Sequence, residues 1–101
     1  MPEAAPNALV HQALRLKIMA ALRVMPIGDK VEFTRLKRLI GATDGNLSRQ
    51  LTLLAEAGYL AITKDFHNNR PRTRVGLTSD GIAAFDGHIA YLKALISDLQ
   101  E

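Results

Sequence analysis

The chain has 101 residues, 48% of them hydrophobic and 23% charged, with a formal net charge of +3; that length holds one domain with a modest core. The absence of cysteine excludes disulfides, thiolate metal sites and cysteine catalysis. No apolar run approaches membrane-spanning length, and the first six residues lack the basic-then-apolar order of a signal peptide, so a cytoplasmic protein away from the membrane is expected.

Residues 1–7 contain two prolines and no anchor and are expected to be disordered, leaving 8–101 as the domain. Asn7 is a plausible cap for a first helix running to about Met25, with Val10, Leu14, Ile18, Ala21, Leu22 and Met25 at helical spacing. Leu9 and Leu16 lie off that stripe, so this helix should be covered on more than one side. Pro26 and Gly28 end it. Val31-Glu32-Phe33 is too short for a helix and reads as a small strand. Thr34 is the expected N-cap of a second helix whose Leu36, Leu39 and Ile40 are apolar, with Arg35, Lys37 and Arg38 outside and Gly41 as left-handed C-cap. Thr43 or Asp44 then caps a third helix, so the two helices are joined tightly and must cross steeply.

The third helix spans about residues 44–57. At about 100° per residue, Leu47, Leu51, Leu54, Ala55 and Gly58 fall on one side and Gly45, Asn46, Arg49, Thr52 and Glu56 on the other, flanked by Ser48 and Gln50. Its N-terminal half thus offers side chains able to read DNA, Asn toward adenine and Arg toward guanine. A merely solvated face would also be polar, so the reading leans on the tight turn before it and the basic hairpin after it.

That hairpin begins with the apolar strand Tyr59-Leu60-Ala61-Ile62, turns through a tip spanning His67 to Arg74, and returns along roughly Thr73–Leu77. Asn68 and Asn69 suit positive φ, and Pro71 stiffens the tip. Arg70, Arg72 and Arg74 alternate and so project to one side, a pattern suited to phosphates or a minor groove, and also to protection of a sheet edge. Thr78 or Ser79 starts a last helix reaching about Leu99, with Phe85, Ile89, Leu92, Ile96 and Leu99 forming a heptad seam that Tyr91 and Leu95 widen. Its early part should cover the core and its later part a second subunit.

Charge follows the same division. Residues 29–49 carry net +2 and residues 64–74 net +3, whereas residues 75–101 carry net −3. A polyanion would be drawn to the centre of the chain and repelled by its C-terminal helix. Helix, tight turn, helix, strand, basic hairpin and strand, in this order, spell a winged helix-turn-helix. The expected fold is α+β and mostly α, with a three-helix core, a two- or three-stranded β-wing and a long C-terminal helix.

The strings Thr43-Asp44-Gly45-Asn46-Leu47-Ser48-Arg49-Gln50-Leu51, Leu54 to Leu60, Arg70-Pro71-Arg72-Thr73 and Leu77 to Phe85 resemble the small stand-alone winged-helix transcriptional regulators related to the MarR group, and more distantly the ArsR-type repressors. The resemblance covers nearly everything from Leu9 onward. It implies a homodimer on a roughly palindromic operator in double-stranded DNA, acting most simply as a repressor. Base readers would be Asn46, Ser48, Arg49, Gln50 and Thr52 on the recognition helix. Backbone and wing contacts would come from Arg35, Arg38, Lys64, Asn68, Asn69, Arg70, Arg72 and Arg74, with the wing at 66–74. The first and last helices would pair the subunits through Leu9, Leu16, Ile89, Leu92, Leu95, Ile96 and Leu99.

Other functions fare worse. Winged helices also serve as protein-interaction modules, in which case the wing arginines would meet an acidic partner. An enzyme is not expected, because no activated nucleophile, phosphate-cradling glycine loop or His-carboxylate cluster is visible. No cofactor or metal is expected, since His11, His67 and His88 have no paired-ligand spacing. A small-molecule effector would have to use the dimer cleft or the seam between helix and core.

Overall fold

A computed structural model describes residues 6–26 and 28–100. The elements run α1 (Ala8–His11), α2 (Ala13–Arg23), β1 (Val31–Glu32), α3 (Phe33–Ile40), α4 (Asp44–Glu56), β2 (Leu60–His67), β3 (Arg70–Leu77) and α5 (Ser79–Leu99). The strands form an antiparallel sheet in the order β1-β3-β2. The fold is the α+β winged arrangement expected, with a three-stranded wing. Most of residues 1–7 lie outside the described part, but Asn7 is held in place: its Oδ1 accepts from the Leu9 and Val10 amides at 3.1 and 3.0 Å.

The expected first helix is two helices. Gln12 adopts extended backbone (φ −63°, ψ 132°) and its side chain caps α2 by accepting from the Arg15 amide. The break lets Val10 point fully into the core while Ile18, Met19 and Leu22 approach it from α2. Helix α2 ends at Arg23, two residues before the expected Met25. In α3 the helix begins at Phe33 with Glu32 in the cap position, so Thr34 lies inside its first turn rather than capping it. Gly41 closes α3 in the left-handed conformation (φ 74°), its N–H reaching the Lys37 carbonyl. Thr43 caps α4 by accepting from the Asn46 amide. Lys37 Nζ then meets Asp44 Oδ1 at 2.6 Å, tying the end of α3 to the first residue of α4.

Leu36, Leu47, Leu51 and Leu54 of the two crossed helices join Val10, Ile18, Met19, Leu22, Val31, Leu60, Val75 and Phe85 in one core. Helix α5 packs on it with its N-terminal half only. Phe85 is buried, Ile89 and Leu92 are half-buried, and Leu95, Ile96 and Leu99 are exposed. An Arg23–Asp86 fork, with bonds of 2.9 and 3.1 Å, joins α2 to α5 near this boundary.

The wing differs from its expected shape. The strands pair from Leu60–Leu77 out to His67–Arg70, so the turn is only Asn68-Asn69, both at positive φ (52° and 61°). His67 and residues 70–72, expected at the tip alone, are strand, so the returning strand starts three residues before the expected Thr73. Pro71 is tolerated there because Phe66–Pro71 is the pair next to the turn-closing one, where the missing N–H faces away from β2. On its other side β1 reaches only Val75 and Arg74.

Candidate nucleic-acid interface

Alternation along the hairpin sorts its side chains onto two faces. Ile62, Lys64 and Phe66 lie with Val75, Thr73 and Pro71 on one face, and Thr63, Asp65 and His67 with Arg74, Arg72 and Arg70 on the other. The first face looks toward α4. Phe33, Ser48, Leu51, Thr52, Ile62, Lys64 and Thr73 line an open groove of about 240 Å³ between them. The second face meets β1 and α3 around a hollow of about 460 Å³ where Lys30, Arg35, Arg38, Arg72 and Arg74 converge with Glu32. Lys30 arrives there by crossing β3 to bond Thr63 Oγ1 at 2.5 Å. Gly76 leaves it room: a Cβ at that position would lie 3.3 Å from Lys30 Cγ and 2.8 Å from the Asp29 carbonyl oxygen.

Asn46, Ser48, Arg49 and Thr52 are exposed on α4. Thr52 donates its hydroxyl to the Ser48 carbonyl at 3.0 Å, so the helix already uses its proton. Gln50 is not a surface residue. It is 7% exposed, its Oε1 accepts from Arg15 at 2.8 Å and its Nε2 reaches Asn46 Oδ1 at 3.3 Å. It cannot read a base as expected, because the contact from α2 turns it inward.

The wing arginines divide as well. Asp65 stands opposite Arg72 and takes both a two-pronged contact from it, at 2.9 and 3.1 Å, and one from Arg74 at 2.8 Å. These arginines hold the Asp65 carboxyl down to about 2, well below the usual carboxylate range, Arg72 contributing most. Arg74 Nε is buried with no partner among the described residues. Arg72 and Arg74 are thus half-buried braces of the hairpin rather than free charges at its tip. Arg70, beside Asn68 and Asn69, is exposed and has no acidic partner among the described residues.

Between α1 and α5 sits a polar cluster that sequence spacing concealed. His88 of α5 is 1% exposed. Its Nδ1 accepts the Asn7 N–H at 3.1 Å, which leaves the proton on Nε2 to be donated to His11 Nδ1, also at 3.1 Å. Tyr91 stacks on the ring, and Asn7 Nδ2 donates to the Tyr59 hydroxyl. Burial first, and the His11 charge second, lower the His88 pKa from its ordinary 6.5. The unfolded chain therefore takes up a proton near that pH that the folded chain refuses. The contribution of His88 to stability is full above its ordinary pKa of 6.5 and is lost as pH falls below it. A drop in Tm between about pH 7.5 and pH 5.5 is expected, reduced in His88→Gln. Equal pH dependence in the two proteins would contradict this role for His88.

Two short helices cross through a tight capped turn, the second with a polar outer face, and are followed by the β2–β3 hairpin of the three-stranded wing and a long helix. Residues 14–96 match the family described as winged helix DNA-binding domain. The chain belongs to that family. An uncharacterized protein from Methanocaldococcus jannaschii is 29% identical over 92 residues, 91% of this chain and 97% of that one. The structure of a transcriptional regulator homologue from Pyrococcus horikoshii superposes with a TM-score of 0.82 at 28% identity, covering 92% of this winged helix chain and 89% of the other. The ytfH protein of Salmonella typhimurium shares the fold, with a TM-score of 0.70 at 22% identity, covering 91% of this chain and 79% of that one. No described helix of this winged helix protein is long and apolar enough to cross a membrane.

Proposed function

We propose that this winged helix protein is a transcriptional regulator, acting as a repressor, that binds a palindromic operator as a homodimer. Helix α4 would enter the major groove, with Asn46 and Arg49 toward base edges and Ser48 and Thr52 at its flanks. The wing tip, Asn68-Asn69-Arg70, would reach the flanking backbone or minor groove. The observation that carries the reading is the exposed Asn46–Arg49 face beside a wing whose Arg70 lacks an acidic partner among the described residues. The likeness to the Pyrococcus horikoshii regulator homologue supports it. Arg35 and Arg38, which lie beside Arg72 and Arg74 at the basic hollow, would contact the backbone rather than read bases. The second subunit would cover the exposed end of α5 together with α1 and the start of α2, using Leu9, Leu16, Ile89, Leu92, Leu95, Ile96 and Leu99.

Two substitutions separate the roles. Arg70→Ala is expected to weaken binding on every duplex and to flatten the dependence of log K on log salt by about 0.9, the loss of one phosphate contact. Arg49→Ala is expected to cost about 1–3 kcal/mol at a single base pair and to relax discrimination there. Fluorescence anisotropy across a salt series reads both. Wild-type binding that ignores salt on all duplexes tested would refute the DNA-binding reading.

A further inference from the structure

Gln50 joins two side chains of unlike purpose: a cation on α2 and an exposed amide on the outer face of α4. The bonds run from Arg15 to Gln50 Oε1 at 2.8 Å and from Gln50 Nε2 to Asn46 Oδ1 at 3.3 Å. Their direction follows from chemistry. A guanidinium only donates, so the Gln50 oxygen must face Arg15. The Gln50 amide nitrogen is then left to face Asn46, which can answer only with its own oxygen. Arg15 is itself fixed, because its Nε donates to the Leu9 carbonyl at 2.6 Å. Gln50 is buried and cannot turn over without setting N–H against N–H.

We infer that Arg15 and Gln50 are positioning residues that orient the Asn46 carboxamide, so that Asn46 offers its N–H to DNA and selects base edges carrying acceptors. The inference rests on the function proposed above and refines it. An asparagine pairs with adenine through both its oxygen and its nitrogen. Here the carboxamide is turned with its oxygen toward Gln50, so the group left to face outward is the donor nitrogen. Guanine N7 and O6, adenine N7 and thymine O4 suit it, and the cytosine amino group does not.

The test uses duplexes selected by the wild-type chain from a random-sequence pool, with each base pair then varied in turn. Gln50→Met removes the orienting bond while keeping the volume. Discrimination against cytosine at the Asn46 position, roughly fivefold or more in the wild type, should fall to near unity. Gln50→Glu still accepts from Arg15 but can only accept from Asn46. Asn46 should then turn its nitrogen inward and its oxygen outward, reversing the preference toward cytosine. Asn46→Ala in each background should erase the difference. In the free protein, the Gln50 side-chain amide protons should exchange with water more slowly than those of Asn46, a measurement that needs no variant. Wild-type preferences retained in both Gln50 variants, or equally fast exchange at the two amides, would overturn the positioning role while leaving DNA binding intact. Absence of salt-dependent binding by the wild type would overturn both readings.

Discussion

Alanine at position 81 is expected to lower the melting temperature by roughly 12–24 °C, the equivalent of about 3 kcal/mol of overpacking in a domain of this size. Gly81 sits in the first turn of α5, where a Cβ would lie 2.1 Å from the Tyr59 carbonyl oxygen and 2.9 Å from its carbon. Both are backbone atoms, so no rotamer change can make room. The same carbonyl accepts the Thr78 N–H at 3.1 Å, and the Thr78 hydroxyl donates to the Gly58 carbonyl at 2.6 Å. The start of α5 is therefore pinned to the turn that follows α4, and Gly81 is what allows the approach. Relief would require α5 to lift off, taking Phe85 and His88 out of the interior. Circular dichroism melts check this, and a Tm within about 2 °C of wild type would contradict it.

The second large effect concerns the far end of the same helix. Ile96 is 55% and Leu99 is 79% exposed, and neither belongs to the core of the single chain. Ile96→Asp combined with Leu99→Asp is therefore expected to leave the melting of the monomer unchanged. If α5 pairs the subunits, the same double substitution should yield a monomer in sedimentation. It should also lower affinity for a two-half-site operator by roughly 10²- to 10⁴-fold through loss of the second half-site contact. Affinity for a single half-site should barely change. A variant that remains dimeric would move the interface away from the end of α5, toward Leu9 and Leu16.

What could be read from the sequence was whatever depends on near neighbours. Gly41 and Thr43 mark their caps because a left-handed residue and a hydroxyl cap act within one turn. The outward Asn46 and Arg49 and inward Leu47, Leu51 and Leu54 follow from helical period alone. What could not be read depends on partners far away in the chain. Gln50 looks like a surface residue until Arg15, 35 positions earlier, supplies its hydrogen bond. His11 and His88 are 77 residues apart and meet only because α1 packs on α5. The bracing of Arg72 and Arg74 depends on strand register. Once the turn is confined to Asn68-Asn69, Asp65 comes to stand opposite Arg72. A longer tip would have left Asp65 outside the wing and all three arginines free. The break at Gln12 was hidden because apolar residues at helical spacing run through it, and the capping side chain is that of the break residue itself.

On the proposed function, a dimer reads duplex DNA through α4 while the wing holds the backbone. Selection of bound duplexes from a random-sequence pool, with the solution mass of the complex measured on the selected sequence, tests it most directly. The expected result is an inverted-repeat motif with half-sites about one helical turn apart, bound by two chains, with affinity that falls steeply as salt rises. Recovery of no enriched sequence, or of a site bound by one chain without dependence on salt, would contradict it.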